Sequence, residues 1–220
     1  MRFIDSSIEP FEPVDAEKVL KKIEYACRTC YQSHDKIADG TAEKLIRNCL
    51  KRGHESVLEH AVLTFKVVCS RATLAQWTRH RIASYSVESQ RYCSYAKDKF
   101  GSEITYIKPA WFDKINSSNE EENSKYNNIW NILESSCKSA EEYYFNLIKA
   151  GAKPEEARAI LPNATKCEMV WTANVREIRH FIKLRASAAA DPDIRIIARQ
   201  LLQWMRDNGL GVLVEDIEVN

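Results

Sequence analysis

Apolar residues recur at spacings of three and four along much of the chain and cluster as β-branched runs in two shorter places. Leu20, Ile23, Cys27 and Cys30 step this way and predict a helix from Val14 to about Tyr31, with Asp15 near its start. Ala42, Leu45, Ile46, Cys49 and Leu50 form the inward face of a second helix, capped by Thr41, running through Arg52 and stopped by Gly53. His60–Cys69 is rich in β-branched residues and reads as a strand, followed by a short helix from Arg71 to Trp77 or slightly beyond that runs into a basic segment. Asp113–Lys125 is polar and reads as a surface loop, with Glu120, Glu121 and Glu122 suited to the positive end of the next helix. That helix has the clearest periodicity: Tyr126, Trp130, Leu133, Cys137, Ala140, Tyr144 and Leu147 alternate steps of four and three, and Gly151 ends it. Such a stripe is compatible with a subunit interface and with packing inside the domain. Thr165–Thr172 predicts a further strand, and Asn174–Ser187 and Pro192–Asn208 predict two helices, the last followed by Gly209. Many helices with few, non-alternating strands indicate α+β rather than a doubly wound sheet.

Composition narrows the class. The chain has 220 residues, enough for one compact domain with a substantial core or at most two small ones, and only six glycines and six prolines, too few for long flexible linkers. No boundary or internal repeat divides it, so residues 1–220 are expected to form one domain. Lysine and arginine number 32 against 31 acids, a formal charge of +1, which leaves no global field for a polynucleotide or an acidic membrane. Uncharged runs stop at about eight residues, short of the roughly 18 that span a bilayer. The first residues carry no signal-peptide pattern, and seven scattered cysteines read as reduced thiols, so a cytoplasmic location is expected.

Chemistry concentrates in two basic segments. Gln76–Tyr92 contains Arg79-His80-Arg81 followed by Ser84, Ser86 and Ser89. Guanidinium forks suit phosphates and the carbonyl edge of a base, while hydroxyls can position a sugar. The bland reading is a solvated basic turn after a helix. The second segment holds Arg158 and then Arg176, Arg179, His180, Lys183 and Arg185 on one predicted helix, with Arg176, His180 and Lys183 on a shared face. Two such clusters in a nearly neutral chain point to a concentrated anion site, with nucleotides the obvious ligands. His54 and His60 are six apart rather than four, which disfavours zinc, and Cys27-x-x-Cys30 has no second pair, so its thiols read as buried. No metal is expected. The phosphate-binding glycine loops and the nucleophile elbow are absent from the sequence.

The run Arg79-His80-Arg81, seven residues and then Ser89 resembles the signature of the flavin-dependent thymidylate synthases. Gly53–His60 resembles that family's G-H-x-S/T-x-x-E-H segment, and Ala157–Pro162 its A-R-x-x-L-P element. Thr172–Arg176 and His180–Ala186 are similar to its C-terminal nucleotide-binding helix. The resemblance implies reductive methylation of dUMP to dTMP, with methylenetetrahydrofolate giving the carbon and NADPH the reducing equivalents through FAD. It also implies a central, mostly antiparallel sheet flanked by helices, and a homotetramer whose active sites lie between subunits. Nucleic acid and membrane are not expected partners.

Carried over by position, His54, Ser56, Arg79, His80, Arg81, Asn174, Arg176 and His180 match flavin-binding positions. Gln76, Arg79, Val87, Glu88, Ser89, Gln90, Arg91, Arg158 and Arg185 match dUMP contacts, Val87 through its backbone alone. Arg185 is assigned the activating role, because a guanidinium at the uracil edge stabilises charge at N3 and O4 as hydride adds at C6. Ser89 is assigned to substrate positioning, since no His-Asp relay accompanies it in the sequence. The chain departs from the family at Ser86-Val87, where Asn-Glu is common and the acid is displaced to Glu88, and at Ala188–Asp191, where some members carry His and Gln. Cys30 stands where a Ser or Cys near the flavin is expected. The cysteine-dependent thymidylate synthases are disfavoured because no cysteine has their Pro-Cys-His context. A nucleic-acid module built on Trp77, Tyr85 and Tyr92 is disfavoured by the near-zero net charge, and a non-catalytic family member by the presence of every matched arginine.

Overall fold

The computed structural model describes residues 1–96 and 101–219. The elements in chain order are β1 (Arg2–Ile4), β2 (Ser7–Pro10), α1 (Ala16–Thr29), α2 (Thr41–Lys51), β3 (Val62–Ser70), α3 (Arg71–Trp77) and β4 (Ala83–Val87). They continue with β5 (Thr105–Ile107), α4 (Glu120–Lys149), α5 (Pro154–Ala157), β6 (Lys166–Asn174), α6 (Val175–Arg185) and α7 (Pro192–Asp207). The class is α+β, as the patterning indicates.

β1 and β5 form a parallel pair, and the other strands form a sheet in the order β2-β3-β6-β4. The Phe11 amide donates to the Thr64 carbonyl at 2.9 Å and Glu9 pairs with Lys66, so numbers rise along β2 as they fall along β3. β3 and β6 are antiparallel by the same test: the Val175 amide donates to the Ala61 carbonyl, Thr64 meets Thr172, and the Arg71 amide donates to the Thr165 carbonyl. On β3, Leu63, Phe65 and Val67 are buried while Val62 and Lys66 are exposed, the two-residue period of a strand.

Packing divides the chain into two compact units. One comprises residues 8–67, 77–86 and 170–220, and the other 1–7, 68–76 and 87–169. The first is cored by Trp77, Trp171, Phe65 and Phe181, with Trp77 tilted by 31° against Phe181 at 4.3 Å and edge-on at 5.3 Å to Trp171. The second is cored by Tyr95, Ile104, Tyr106, Cys137 and Tyr144, with Phe3 and Leu133 packed against them.

Caps and glycines set several boundaries. The Asp15 carboxylate accepts from the Lys18 amide and starts α1. α2 begins at Thr41, but its cap is Gly40 in the left-handed region, not Thr41. The Thr41 hydroxyl is instead 2.7 Å from both the Glu24 carboxylate and the Ala38 carbonyl. Gly53, at φ 70°, closes α2, with its amide on the Leu50 carbonyl and the His54 amide on the Cys49 carbonyl. The strand expected from His60 starts two residues later, because Glu55–His60 winds as a 3-10 turn. The loop expected over Asp113–Lys125 is corrected too: Phe112–Asn116 is a 3-10 turn and α4 begins at Glu120, where the Asn119 side chain accepts from two amides. Only Cys137 and Tyr144 of the α4 stripe are fully buried. Cys30, expected to be buried, is exposed at the end of α1, while Cys27 is buried with its sulfur 3.3 Å from that of Cys49.

Candidate functional site

The Arg79-His80-Arg81 run and the helix of the second basic segment, far apart in sequence, meet at His80. Trp77 ends α3 inside the aromatic core, and the His80 amide donates back to its carbonyl at 3.0 Å. That turn points His80 inward while Arg79 and Arg81 on either side remain exposed. The Tyr85 hydroxyl lies 2.5 Å from the His80 carbonyl oxygen, and burial pushes this phenol up to about 12, so it stays protonated and donates.

The facing surface is supplied by α6. Asn174 caps that helix by accepting from the Glu177 amide at 2.9 Å. Glu177, Phe181 and Arg185 then follow at intervals of four, one stripe of the helix. All three touch the imidazole: Glu177 Oε1 is 3.1 Å from His80 Nδ1, Phe181 packs edge-on at 5.0 Å, and Arg185 Nε donates to His80 Nε2 at 3.1 Å. The His180 ring lies 5.4 Å away.

Burial above all, with the positive Arg185 and the neighbouring His180 adding to it, lowers the His80 pKa to about 4. His80 is therefore neutral near pH 7, and its contact with Glu177 is a hydrogen bond rather than an ion pair. Burial likewise raises the Glu177 carboxyl above its ordinary range, with His180 opposing.

Beside this node, in the same unit, lies a cavity of about 440 Å³ whose wall includes Ile82, Asn174, Arg176, His180 and Lys183. Its charges are mixed. Arg176 pairs with Glu59 at 2.5 Å, and Glu55 lies 3.6 Å from Lys183. Arg179, fully buried, is bidentate to Asp216 at 2.7 and 2.8 Å, reaches Glu55 at 3.2 Å and donates to the Leu213 carbonyl. Donors and acceptors alternating along one wall suit a ligand bearing hydroxyls and ring heteroatoms as well as phosphate.

The eight residues matched to flavin positions all belong to this unit. Asn174, Arg176 and His180 line the cavity, Arg79 and Arg81 are exposed near His80 in sequence, and His54 and Ser56 are exposed at the 3-10 turn packed on α6. His80 itself has both ring nitrogens engaged. Of the residues matched to substrate, Arg79 and Arg185 lie in this unit; Gln76, Val87, Glu88, Ser89, Gln90, Arg91 and Arg158 belong to the other. There the Arg91 amide donates to Ser89 Oγ at 3.2 Å, and Arg91 pairs with Glu155 at 2.6 Å. Glu88 is 3.0 Å from Lys166 and accepts from the Glu168 amide. Arg158 is exposed on a 3-10 turn.

Sequence reasoning passed over Glu177, Glu55 and Asp216. Asn-x-x-Glu at a helix start reads as a capping box, so no local signal distinguishes a Glu177 that caps from one that reaches His80. Among the described residues, His80, Glu177 and His180 are the one group of three whose donor atoms converge, within 4.8 Å, as metal ligands would. Arg185 on the same imidazole opposes a cation there.

A family model described as Thy1, thymidylate synthase complementing protein, matches residues 14–208. A probable flavin-dependent thymidylate synthase of Mycobacterium phage D29 is 36% identical over 191 residues, covering 84% of this chain and 77% of that one. The flavin-dependent thymidylate synthase of Geobacter sulfurreducens is 33% identical over 203 residues, covering 86% and 81%. The fold is similar to the crystal structure of a UMP/dUMP methylase, PolB from Streptomyces cacaoi, bound with 5-Br dUMP. That likeness has a TM-score of 0.78 at 22% identity and covers 98% of this chain and 96% of the other.

Proposed function

Because the chain belongs to the Thy1 family of flavin-dependent thymidylate synthases, we infer that it converts dUMP to dTMP by reductive methylation. Methylenetetrahydrofolate is the carbon donor and NADPH, through FAD, the source of reducing equivalents. The observation that carries this reading is the hydrogen bond between His80 and Arg185, which brings the Arg79-His80-Arg81 motif onto the helix of the second basic cluster.

The residues present fit FAD. Arg79, Arg81 and Arg176 offer guanidinium groups for its diphosphate, and Asn174 and His180 are polar groups on the adjoining wall. Ile82, largely exposed and on the same wall, offers an apolar face for a flat ring. His54 and Ser56 complete the proposed set. The bound flavin supplies the hydride, and the protein's part is to bind, orient and polarise.

On the substrate side, Gln76, Arg79, Val87, Glu88, Ser89, Gln90, Arg91, Arg158 and Arg185 are proposed to hold dUMP, Val87 through its backbone. Arg158 and Arg91 are exposed cations suited to phosphate. Arg185 faces the uracil edge, where its guanidinium stabilises charge at N3 and O4 as C6 is reduced. Ser89 positions the nucleotide and is not a nucleophile. We further propose that residues 1–220 act as one catalytic domain built on a central, mostly antiparallel sheet, in support of which the family match runs through both units. The working form is a homotetramer in the cytoplasm, with second copies completing each active site and neither nucleic acid nor membrane as a partner. Among the described residues, no helix is long and apolar enough to cross a membrane.

The test is the visible absorption of the FAD-loaded protein, before and after anaerobic NADPH with dUMP present. Oxidised-flavin bands that bleach, followed by dTMP once methylenetetrahydrofolate is added, are expected. A protein that neither takes up FAD nor forms dTMP would overturn the reading.

A further inference from the structure

His80 is nearly sealed from solvent, its side chain 2% exposed, and both ring nitrogens are engaged. The partners differ in kind. An arginine Nε carries a proton and has no lone pair to offer, so Arg185 can only donate, and His80 Nε2 must be bare to receive it. The single ring proton then sits on Nδ1, 3.1 Å from the carboxylate oxygen of Glu177. The opposite tautomer would set N–H against N–H at Arg185 and leave bare Nδ1 facing a carboxylate. An imidazolium would repel the guanidinium. Among the described residues, the charged or titratable side chains against this ring are Glu177, His180 and Arg185, all from α6, and the Tyr85 hydroxyl holds the ring's own backbone.

We propose that Glu177 is a positioning residue: by accepting the Nδ1 proton it fixes the His80 tautomer, so that bare Nε2 holds the Arg185 guanidinium in the orientation that meets the uracil of dUMP. The inference rests on the reading of Arg185 as the group facing the base. Phe181, between Glu177 and Arg185 on the same stripe, packs edge-on with the ring at 5.0 Å. The device is rigid because its three α6 members share one helix face, and the chain from carboxylate to guanidinium moves no proton during turnover.

The experiment joins ring ¹⁵N–¹H NMR of the full-length FAD-loaded protein with dUMP titration calorimetry and steady-state kinetics. The His80 signals, among five histidines, are assigned by their loss in His80→Gln. Wild type is expected to show a neutral Nδ1–H ring at pH 7. Glu177→Leu, which removes the acceptor, is expected to move His80 toward the Nε2–H tautomer and to lower kcat/KM for dUMP about tenfold or more while bound FAD per chain is unchanged. Glu177→Gln, whose amide oxygen still accepts from Nδ1, is expected to keep the tautomer and most of the dUMP affinity, a rescue that loss of packing alone would not give. An Nε2–H or charged His80 in wild type overturns the proposal whether or not the variants fold. So does a Glu177→Leu protein with an unchanged tautomer and unchanged kcat/KM. Arg185→Ala separates the two readings. If it loses dUMP affinity while a tautomer-shifted Glu177→Leu does not, the positioning role fails. If it too binds and turns over dUMP normally, the assignment of Arg185 to the substrate fails instead.

Discussion

At the scale of the residue, the chemistry depends on one side chain being held by another. Arg185 is only half-buried and long, and a guanidinium free to rotate would lose several rotors on engaging a base. His80 Nε2 fixes one of its donors in advance, which sets the orientation of the planar fork. Arg185→Lys keeps the charge but loses the fork, and its kcat/KM for dUMP is expected to fall by about two orders of magnitude, as removal of a preorganised donor to developing charge does. Steady-state kinetics with saturating NADPH and folate check this, and a fall below tenfold would contradict the role.

The same node carries a pH signature. A folded His80 pKa of about 4, against an ordinary 6.5, means the unfolded chain takes up a proton as pH falls below 6.5 while the folded chain does not until about 4. His80 therefore contributes stability above pH 6.5 that is lost as pH falls toward 4, at most about 3 kcal/mol. Urea unfolding at several pH values is expected to show the stability gap between wild type and His80→Gln narrowing across that window. A constant gap would mean that His80 is not held neutral.

At the scale of the element, α6 is set by the residue that caps it. The Asn174 side chain accepts from the Glu177 amide, which fixes where the helix starts and hence the phase of Glu177, Phe181 and Arg185. Asn174→Ala is expected to destabilise by about 1 kcal/mol and Asn174→Asp by much less, since aspartate caps equally well. Thermal unfolding distinguishes them. If Asn174 also contacts the flavin through its amide donor, Asn174→Asp will weaken FAD binding without moving the melting temperature, a separation invisible to either measurement alone. Of the helices with strong periodicity, α1 and α7 were legible in the sequence because period and boundary signals agree, and α4 through its period alone, its first turn reading as loop. The short β1, β2, β4 and β5 strands were not, since three to five residues carry too little alternation to stand out from loops. Thr41 and Asn119 illustrate the boundary cases: a hydroxyl beside a helix start need not be its cap, and a polar run can contain the first turn of a helix.

For the whole molecule, the matched residues divide between the two compact units. Every flavin-matched residue is in one, and most substrate-matched residues are in the other. The expected consequence is separable loss. Arg158→Ala should raise the KM for dUMP about tenfold or more with normal FAD content, and Arg176→Ala should reduce FAD retention with dUMP affinity less affected, each the loss of one charge-assisted contact. Equilibrium dialysis with each ligand tests both, and a joint loss in either variant would contradict the division. Arg179 belongs to neither set. Buried and bidentate to Asp216, it ties α6 to the chain's last turns, and Arg179→Ala is expected to cost roughly 3–5 kcal/mol by leaving acids without their cation.

The sequence by itself determined the α+β class, the helices of strong period, and the residues of both basic clusters, because periodicity, capping and a spaced motif are local or strictly ordered along the chain. It did not determine which members of those clusters meet. His80 and Arg185 lie 105 residues apart, and nothing in either segment names the other. Nor does a Glu three residues after a capping Asn announce that its side chain will turn inward to an imidazole. Those choices follow from how Trp77 and Phe181 pack in the core, since it is their packing that sets His80 against one stripe of α6. Hydrogen-bond pairing between distant side chains is decided by tertiary burial, where an unpaired donor or acceptor is too unfavourable to leave, and no one-dimensional pattern encodes it.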